Sequence, residues 1–126
     1  PTPVIAAYQS MYMLGDDGGV VWAKGFYGDH LTSHGGNIEP GQNGLNPQGQ
    51  TPLTYHLGRG ASFSCGTVGE PAQTTMQYLA DQFINVSVFH PLFVSGVEVG
   101  RAAWASVRRP DRVLFAGDFL CRPFGQ

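Results

Sequence analysis

Side chains that can transfer protons gather in and around one stretch of this chain, residues 28–52. The members of this group are Tyr27, Asp29, His30, His34, Tyr55 and His56. Imidazole, carboxylate and phenol groups are common general acids and bases, provided that a pocket orients them. If the chain is an enzyme, we expect Asp29, His30, His34 and His56 to form its catalytic site, with the two tyrosines beside it. No catalytic residue is favoured by a motif, since the pattern G-x-S-x-G is absent.

Metal binding is a second chemistry that these histidines raise. His30 and His34 are four residues apart, a spacing that puts two ligands on one face of a helix. The segment between them leads into "HGGN", whose two successive glycines disfavour a helix. His30 and His34 therefore remain weak candidate ligands, and we predict no metal. The phosphate-binding pattern G-x-x-x-x-G-K-[ST] is absent as well, so we expect no cofactor.

The composition restricts the partners. Charged residues make up 13% of the chain, about half of the roughly 25% that is usual for soluble domains. The formal net charge is −2, whereas nucleic acids and anionic membranes select for an excess of basic residues. We therefore expect neither nucleic acid nor a membrane as a partner. So few charges favour a homo-oligomer, in which other copies cover part of the surface.

The elements that must position these residues read as mainly β. The 126 residues predict one domain that spans the whole chain. β-Branched and aromatic runs predict a barrel or sandwich of about six or seven strands. The predicted strands cover residues 4–14, 20–27, 52–58, 61–68, 84–95, 97–109 and 112–121, the first two as a hairpin. One amphipathic helix is predicted over residues 70–83, from the apolar stripe of Met76, Leu79, Ala80 and Phe83.

The Gly/Pro/Asn-rich loop over residues 28–52 is too long to be a simple connection. Amides can satisfy backbone groups without the cost of burying charge, which suits packing along a neighbouring subunit. The loop is therefore interpreted as an assembly arm. Its predicted contact residues are His30, His34, Asn37, Asn43, Asn46 and Tyr55.

The function predicted from these observations is that of a structural, self-assembling subunit. The class that fits best is a virion component, such as a capsid-decorating cement protein or a tail-tube ring subunit, held by strand-edge and loop contacts. Its partners would be further copies in a trimer or ring, and a larger protein shell. The first residues do not form a signal peptide, so we expect synthesis inside the cell and, for this class, a place in a virus particle.

Two other hypotheses stay open. The first is a small β-barrel enzyme or ligand-binding protein, with its His/Asp/Tyr site at the mouth of the barrel. The second is a secreted interaction domain with a bridge between Cys65 and Cys121. Each cysteine lies in an apolar run, which favours buried free thiols instead.

Overall fold

A computed structural model describes residues 4–10, 21–69 and 80–125, with side chains from residue 23 onward. The strands in this part of the chain form one open sheet whose spatial order follows the chain order. They are β1 (Val4–Ser10), β2 (Val21–His30), β3 (Phe63–Thr67) and β4 (Val113–Gly117). The first three strands run parallel, and β4 runs antiparallel to β3.

The predicted barrel or sandwich of about six or seven strands is wrong. The described residues form an open mixed sheet and α-helices, which are α1 (Leu53–Gly58), α2 (Val86–Val94) and α3 (Val99–Ser106). Each helix occupies a segment that was predicted as a strand. A short 3-10 turn, Pro110–Arg112, leads into β4. The protein is therefore mixed α/β and not mainly β in the part that the structure describes.

The burial period explains why residues 86–94 form a helix. Phe89 and Phe93 are buried one turn apart, while Val86 and Val88 are exposed. A half-buried strand would instead bury every second residue. Asn85 begins the helix, since its side chain accepts a hydrogen bond from the Ser87 N–H at 3.0 Å, which satisfies one of the free donors of the first turn.

Helix α3 follows the same logic with smaller side chains. Its buried residues include Val99, Ala102, Ala103 and Ser106, which are spaced i, i+3, i+4 and i+7. This stripe contains few large apolar residues. Because Trp104 is large and apolar although it is exposed, the sequence fits the alternating pattern of a strand as well as the helical period. Two adjacent alanines favour a helix over a strand.

The helices cover the two faces of the sheet. Side chains alternate between the faces of a strand, so Phe63 and Cys65 of β3 point away from Ser64. The two odd-numbered residues join the core cluster with α2 and α3, whereas Ser64 contacts His56 of α1. The described elements therefore stack in three layers, with α1 on one face and α2 and α3 on the other.

The remaining predictions meet mixed outcomes. β1 and β2 pair in parallel, so the predicted hairpin is wrong, and β2 extends to His30, so the long loop starts at residue 31. The strands predicted over 61–68 and 112–121 are confirmed by β3 and β4, which are shorter than predicted. The predicted helix over residues 70–83 lies mainly on residues 70–79, which are outside the described ranges. Within those ranges, no helix combines the length and hydropathy that crossing a bilayer requires.

Candidate active site at the carboxyl edge of the sheet

The parallel strands β2 and β3 end at the same edge of the sheet. Backbone pairing sets Asp29 of β2 opposite Cys65 of β3. Paired residues on neighbouring strands project from the same face, so the carboxylate and the thiol lie side by side. Open α/β sheets bind ligands outside the carboxyl ends of their parallel strands. This edge is therefore where chemistry is expected.

Cys65 is a buried thiol next to the buried carboxylate of Asp29. Burial raises the pKa of Cys65 most, and the charge of Asp29 and its hydrogen bond to the thiol raise it further. An ionised carboxylate can only accept, so the bond exists while the sulfur keeps its proton. Cys65 is thus a protonated thiol in this arrangement, and a base must remove its proton before it can act as a nucleophile.

Tyr27 shares this face of β2 with Asp29. Its Oη lies 2.9 Å from Nε2 of His90 on α2, and its ring contacts Phe89 with centroids 4.4 Å apart. Burial and the charge of Asp29 raise the pKa of Tyr27 far above its usual range. The phenol therefore stays protonated. It links the buried face of the sheet to His90, a histidine at the surface, through this hydrogen bond.

The opposite face of β3 holds a pair that resembles a serine–histidine nucleophile. Nδ1 of His56 lies 3.1 Å from Oγ of Ser64, and both residues are fully buried. However, Ser64 donates its only hydroxyl proton to the carbonyl oxygen of Gly28 at 2.7 Å. His56 must then donate from Nδ1 to Ser64, because a hydroxyl has one proton. This histidine cannot accept the serine proton, so the pair fastens α1 to the sheet.

The segment after β2 carries His34 across the carboxyl end of β3. The N–H of Gly36 donates to the carbonyl oxygen of Thr67 at 2.7 Å, and Oγ1 of Thr67 donates to the carbonyl oxygen of Thr32. A Cβ on Gly66 would lie 2.2 Å from the carbonyl carbon of Gly35, so only glycine allows this approach. His34 therefore precedes a residue that packs on Gly66, on the face of β3 that carries Ser64, whereas the side chain of Cys65 projects from the opposite face.

The side chain of His34 is partly buried, and its Nδ1 is shielded from solvent with no hydrogen-bond partner in the described ranges. An imidazole nitrogen without a partner retains the capacity to accept or donate a proton. The Nδ1 without a partner makes His34 a candidate base.

The structure places the four predicted catalytic residues in three successive segments of the chain, and Asp29 and His30, as consecutive strand residues, project from opposite faces of β2. β2 carries Asp29 and His30, the next segment carries His34, and α1 carries His56. His30 is buried. The sequence-based prediction missed Cys65 as a candidate nucleophile. A usable signal was present, because His34 precedes "GG" and Cys65 precedes another glycine, both near the ends of apolar strands.

The predicted arm contacts are spread over the loop and α1. Asn46 is buried, Asn43 is exposed at a turn, and Nδ2 of Asn37 donates to Oε1 of Gln48 at 2.8 Å. Tyr55 lies under the guanidinium of Arg59, with 5.2 Å between its ring centroid and the Arg59 Cζ. At least Asn37 and Asn46 therefore bind other parts of the same loop.

Metal ligands, a cavity and the state of the cysteines complete the description of this region. Among the residues described, no group of three or more His, Cys, Asp or Glu side chains could hold a metal ion. A cavity of about 310 Å³ opens beside Leu31, the first residue after β2, and Ile84, Asn85 and Ser106 also line it. Both cysteines are free thiols, so no bridge joins Cys65 and Cys121.

Comparison with models of known protein families, with curated proteins and with solved structures finds no match to this chain. The function is therefore argued from the site.

Proposed function

We propose that the protein is a thiol-dependent hydrolase of amides or esters, with Cys65 as the nucleophile and His34 as the general base. The observation that carries the proposal is the crossing of the His34 segment over the end of β3. A thiol nucleophile needs a histidine base that the fold brings near it, and here Gly35, the residue after His34, contacts Gly66, the residue after Cys65. Their position at the carboxyl edge of two parallel strands supports the same conclusion.

The mechanism starts from a protonated thiol. His34 takes the proton of Cys65 as the sulfur attacks the carbonyl carbon of the substrate. The imidazolium returns that proton to the leaving amine or alcohol, and a thioester on Cys65 remains. A water molecule, deprotonated by the same imidazole, then cleaves the thioester and restores the thiol. Between turnovers the protonated thiol donates to the carboxylate of Asp29, so this hydrogen bond must break before His34 can accept the proton.

A generic acyl donor tests the proposal without a known substrate. The native chain is incubated with p-nitrophenyl acetate, and nitrophenol release is followed together with the intact mass. We expect one acetyl group on Cys65 as a thioester that hydroxylamine removes. Cys65→Ala should abolish it, and His34→Ala should slow it by about 100-fold or more.

The second cysteine provides the matched control. Cys121→Ala should leave the acetylation of Cys65 unchanged, since its thiol donates to the carbonyl oxygen of Gly25 at 3.3 Å and not to the site. Failure of the native chain to acetylate Cys65, or acetylation at the same rate in His34→Ala, would contradict the proposal.

A second function, assembly into a trimer or ring as in a virion component, is favoured by a separate observation. Large apolar side chains stand exposed near the end of the described chain, where Leu120 is 77% exposed, and on α3, where Trp104 is 62% exposed. A contiguous group of such side chains is typical of an interaction surface. β4 also has only β3 as a partner among the described strands, which leaves an edge for pairing.

Light scattering over a range of concentrations tests this second function. A defined oligomer that dissociates in Leu120→Ser would support it. A monomer at all concentrations would contradict it, whatever the outcome of the acetylation experiment.

A further inference from the structure

One buried amide organises the loop between β2 and α1. Asn46 is 2% exposed. Its Nδ2 donates to the carbonyl oxygen of His34 at 2.7 Å. Its Oδ1 accepts from the N–H groups of Gln48 and Gln50 at 3.1 and 2.9 Å. Its own N–H donates to the carbonyl oxygen of Gln50 at 2.9 Å. The side chain is thus hydrogen-bonded through both of its polar atoms, which is what a buried amide requires.

Gln50 forms a hydrogen bond with the backbone N–H of the same histidine. Its Oε1 accepts from the His34 N–H at 2.7 Å. The N–H and the C=O of His34 are therefore each bound by an amide side chain from the far half of the loop. Asn46 also fixes the backbone of Gln50 through its N–H and C=O. Both contacts to His34 consequently depend on Asn46.

A tight turn brings these amides back to His34. Asn43 and Gly44 have φ values of 55° and 77°, and the Gly41 N–H donates to the carbonyl oxygen of Leu45 at 2.9 Å. Positive φ at both central positions is the conformation that an Asn-Gly pair adopts in two-residue turns. The Asn, Gln and Gly residues that gave this loop its odd composition thus have a local structural purpose.

We propose that Asn46 is a positioning residue for His34, so that the amide-rich loop serves the active site. The inference rests on the proposed function of His34 as the base for Cys65. A catalytic group works only when it is held within about 0.5 Å of its productive position. Asn46 touches no reacting atom in this scheme and acts through the backbone of His34. Two amides, each bonded to one side of that backbone, supply the rigidity that a loop alone lacks.

Asn46→Asp is the most informative variant. It is nearly isosteric and keeps an acceptor for Gln48 and Gln50, but it replaces the donor to His34 with an oxygen. We expect acetylation of Cys65 by p-nitrophenyl acetate to slow by about 10-fold to 100-fold. We also expect the rate–pH profile to lose or shift the inflection that His34→Ala removes. Asn37→Asp, which changes an amide of the same loop on the outer side, should keep the native rate and profile.

A second pair of variants covers the case in which Asn46→Asp does not fold. Gln50→Leu removes the acceptor for the His34 N–H, whereas Gln50→Glu retains it. We expect Gln50→Leu to reproduce the slow rate and altered profile, and Gln50→Glu to remain close to native. Thermal unfolding of each variant shows that the comparison is made on folded protein.

The outcomes separate the two proposals. If the native chain acetylates Cys65 with a His34-dependent profile, but Asn46→Asp and Gln50→Leu behave like the native chain, only the positioning role is overturned. If the native chain does not acetylate Cys65, the proposed function fails and the positioning role fails with it.

Discussion

The two faces of β3 carry neighbouring polar residues with opposite chemical roles. On the α1 face, Ser64 contacts an imidazole that must donate to it, because the hydroxyl proton is bound to Gly28. On the α2–α3 face, the protonated thiol of Cys65 donates to the carboxylate of Asp29, and our proposal requires this bond to break before His34 accepts the proton.

The comparison teaches that a contact between a nucleophilic side chain and a histidine does not by itself make a catalytic pair. The direction of the proton decides whether the histidine can serve as a base. The position relative to the sheet edge decides whether a substrate can arrive. Ser64 and His56 join α1 to the sheet, whereas Cys65 is the buried thiol that we propose as the nucleophile.

The largest effect is expected from Gly66→Ala, which tests the contact between the His34 segment and β3. The added Cβ would lie 2.2 Å from the carbonyl carbon of Gly35, and backbone on both sides leaves no cheap adjustment. We expect a loss of about 3 kcal/mol or more in the free energy of unfolding, measured in urea. Gly58→Ala is the control, since no atom lies within 4 Å of its added Cβ. Equal stability of the two variants would mean that the segment does not cross the strand this closely.

Ser64→Ala comes next and tests the structural role of the α1 face. The substitution leaves the carbonyl oxygen of Gly28 and the N–H of His56 without this partner in a buried site. We expect destabilisation of about 1 to 3 kcal/mol, with unchanged acetylation of Cys65 in the folded fraction. A folded Ser64→Ala protein that no longer acetylates Cys65 would instead place Ser64 in the chemistry and reverse the comparison.

Alkaline pH should lower the free energy of unfolding, because burial raises the pKa of both thiols. Burial raises the pKa of Cys121 from 9.0 to about 11, and the pKa of Cys65 is raised as well. Above pH 9 an unfolded thiol loses its proton while the native thiol keeps it, so the native state binds more protons. The free energy of unfolding must therefore fall as the pH rises from 9 towards 11.

Urea midpoints measured across this range, in the native chain and in Cys121→Ala, check the prediction. The decline should be shallower in the variant. A midpoint that is constant or rises with pH in the native chain would show that the thiols are not shielded.

The smallest effect is expected from Asp111→Asn, which lies in the 3-10 turn and outside both faces of β3. Hydrogen bonds from Arg109 lower the pKa of Asp111, but the carboxylate is exposed. Water screens such a pair, so we expect no measurable shift of the unfolding midpoint and no change in acetylation. A clear loss of stability would show that this turn contributes more to the fold than its exposure indicates.

Some features of this protein were determined by the sequence alone. The apolar runs that form β3 and β4 are local signals, and strands were correctly expected there. The residue types also marked Asp29, His30, His34 and His56 as the group to examine. The strand prediction succeeded because burial of a short apolar run is a property of a few neighbouring residues, whereas the site residues stay a prediction.

Tertiary structure alone decided the rest. Residues 84–109 carry apolar side chains that fit a period of 2 as well as a helical period, and packing of Phe89, Phe93 and Val99 against the sheet selects the helix. The pairing of Asp29 with Cys65 requires a parallel register set by a crossover through α1. No local signal specifies that register, because it depends on contacts between residues far apart in the chain. Such long-range contacts set Asp29 beside Cys65 and hold the segment after His34 against the end of β3.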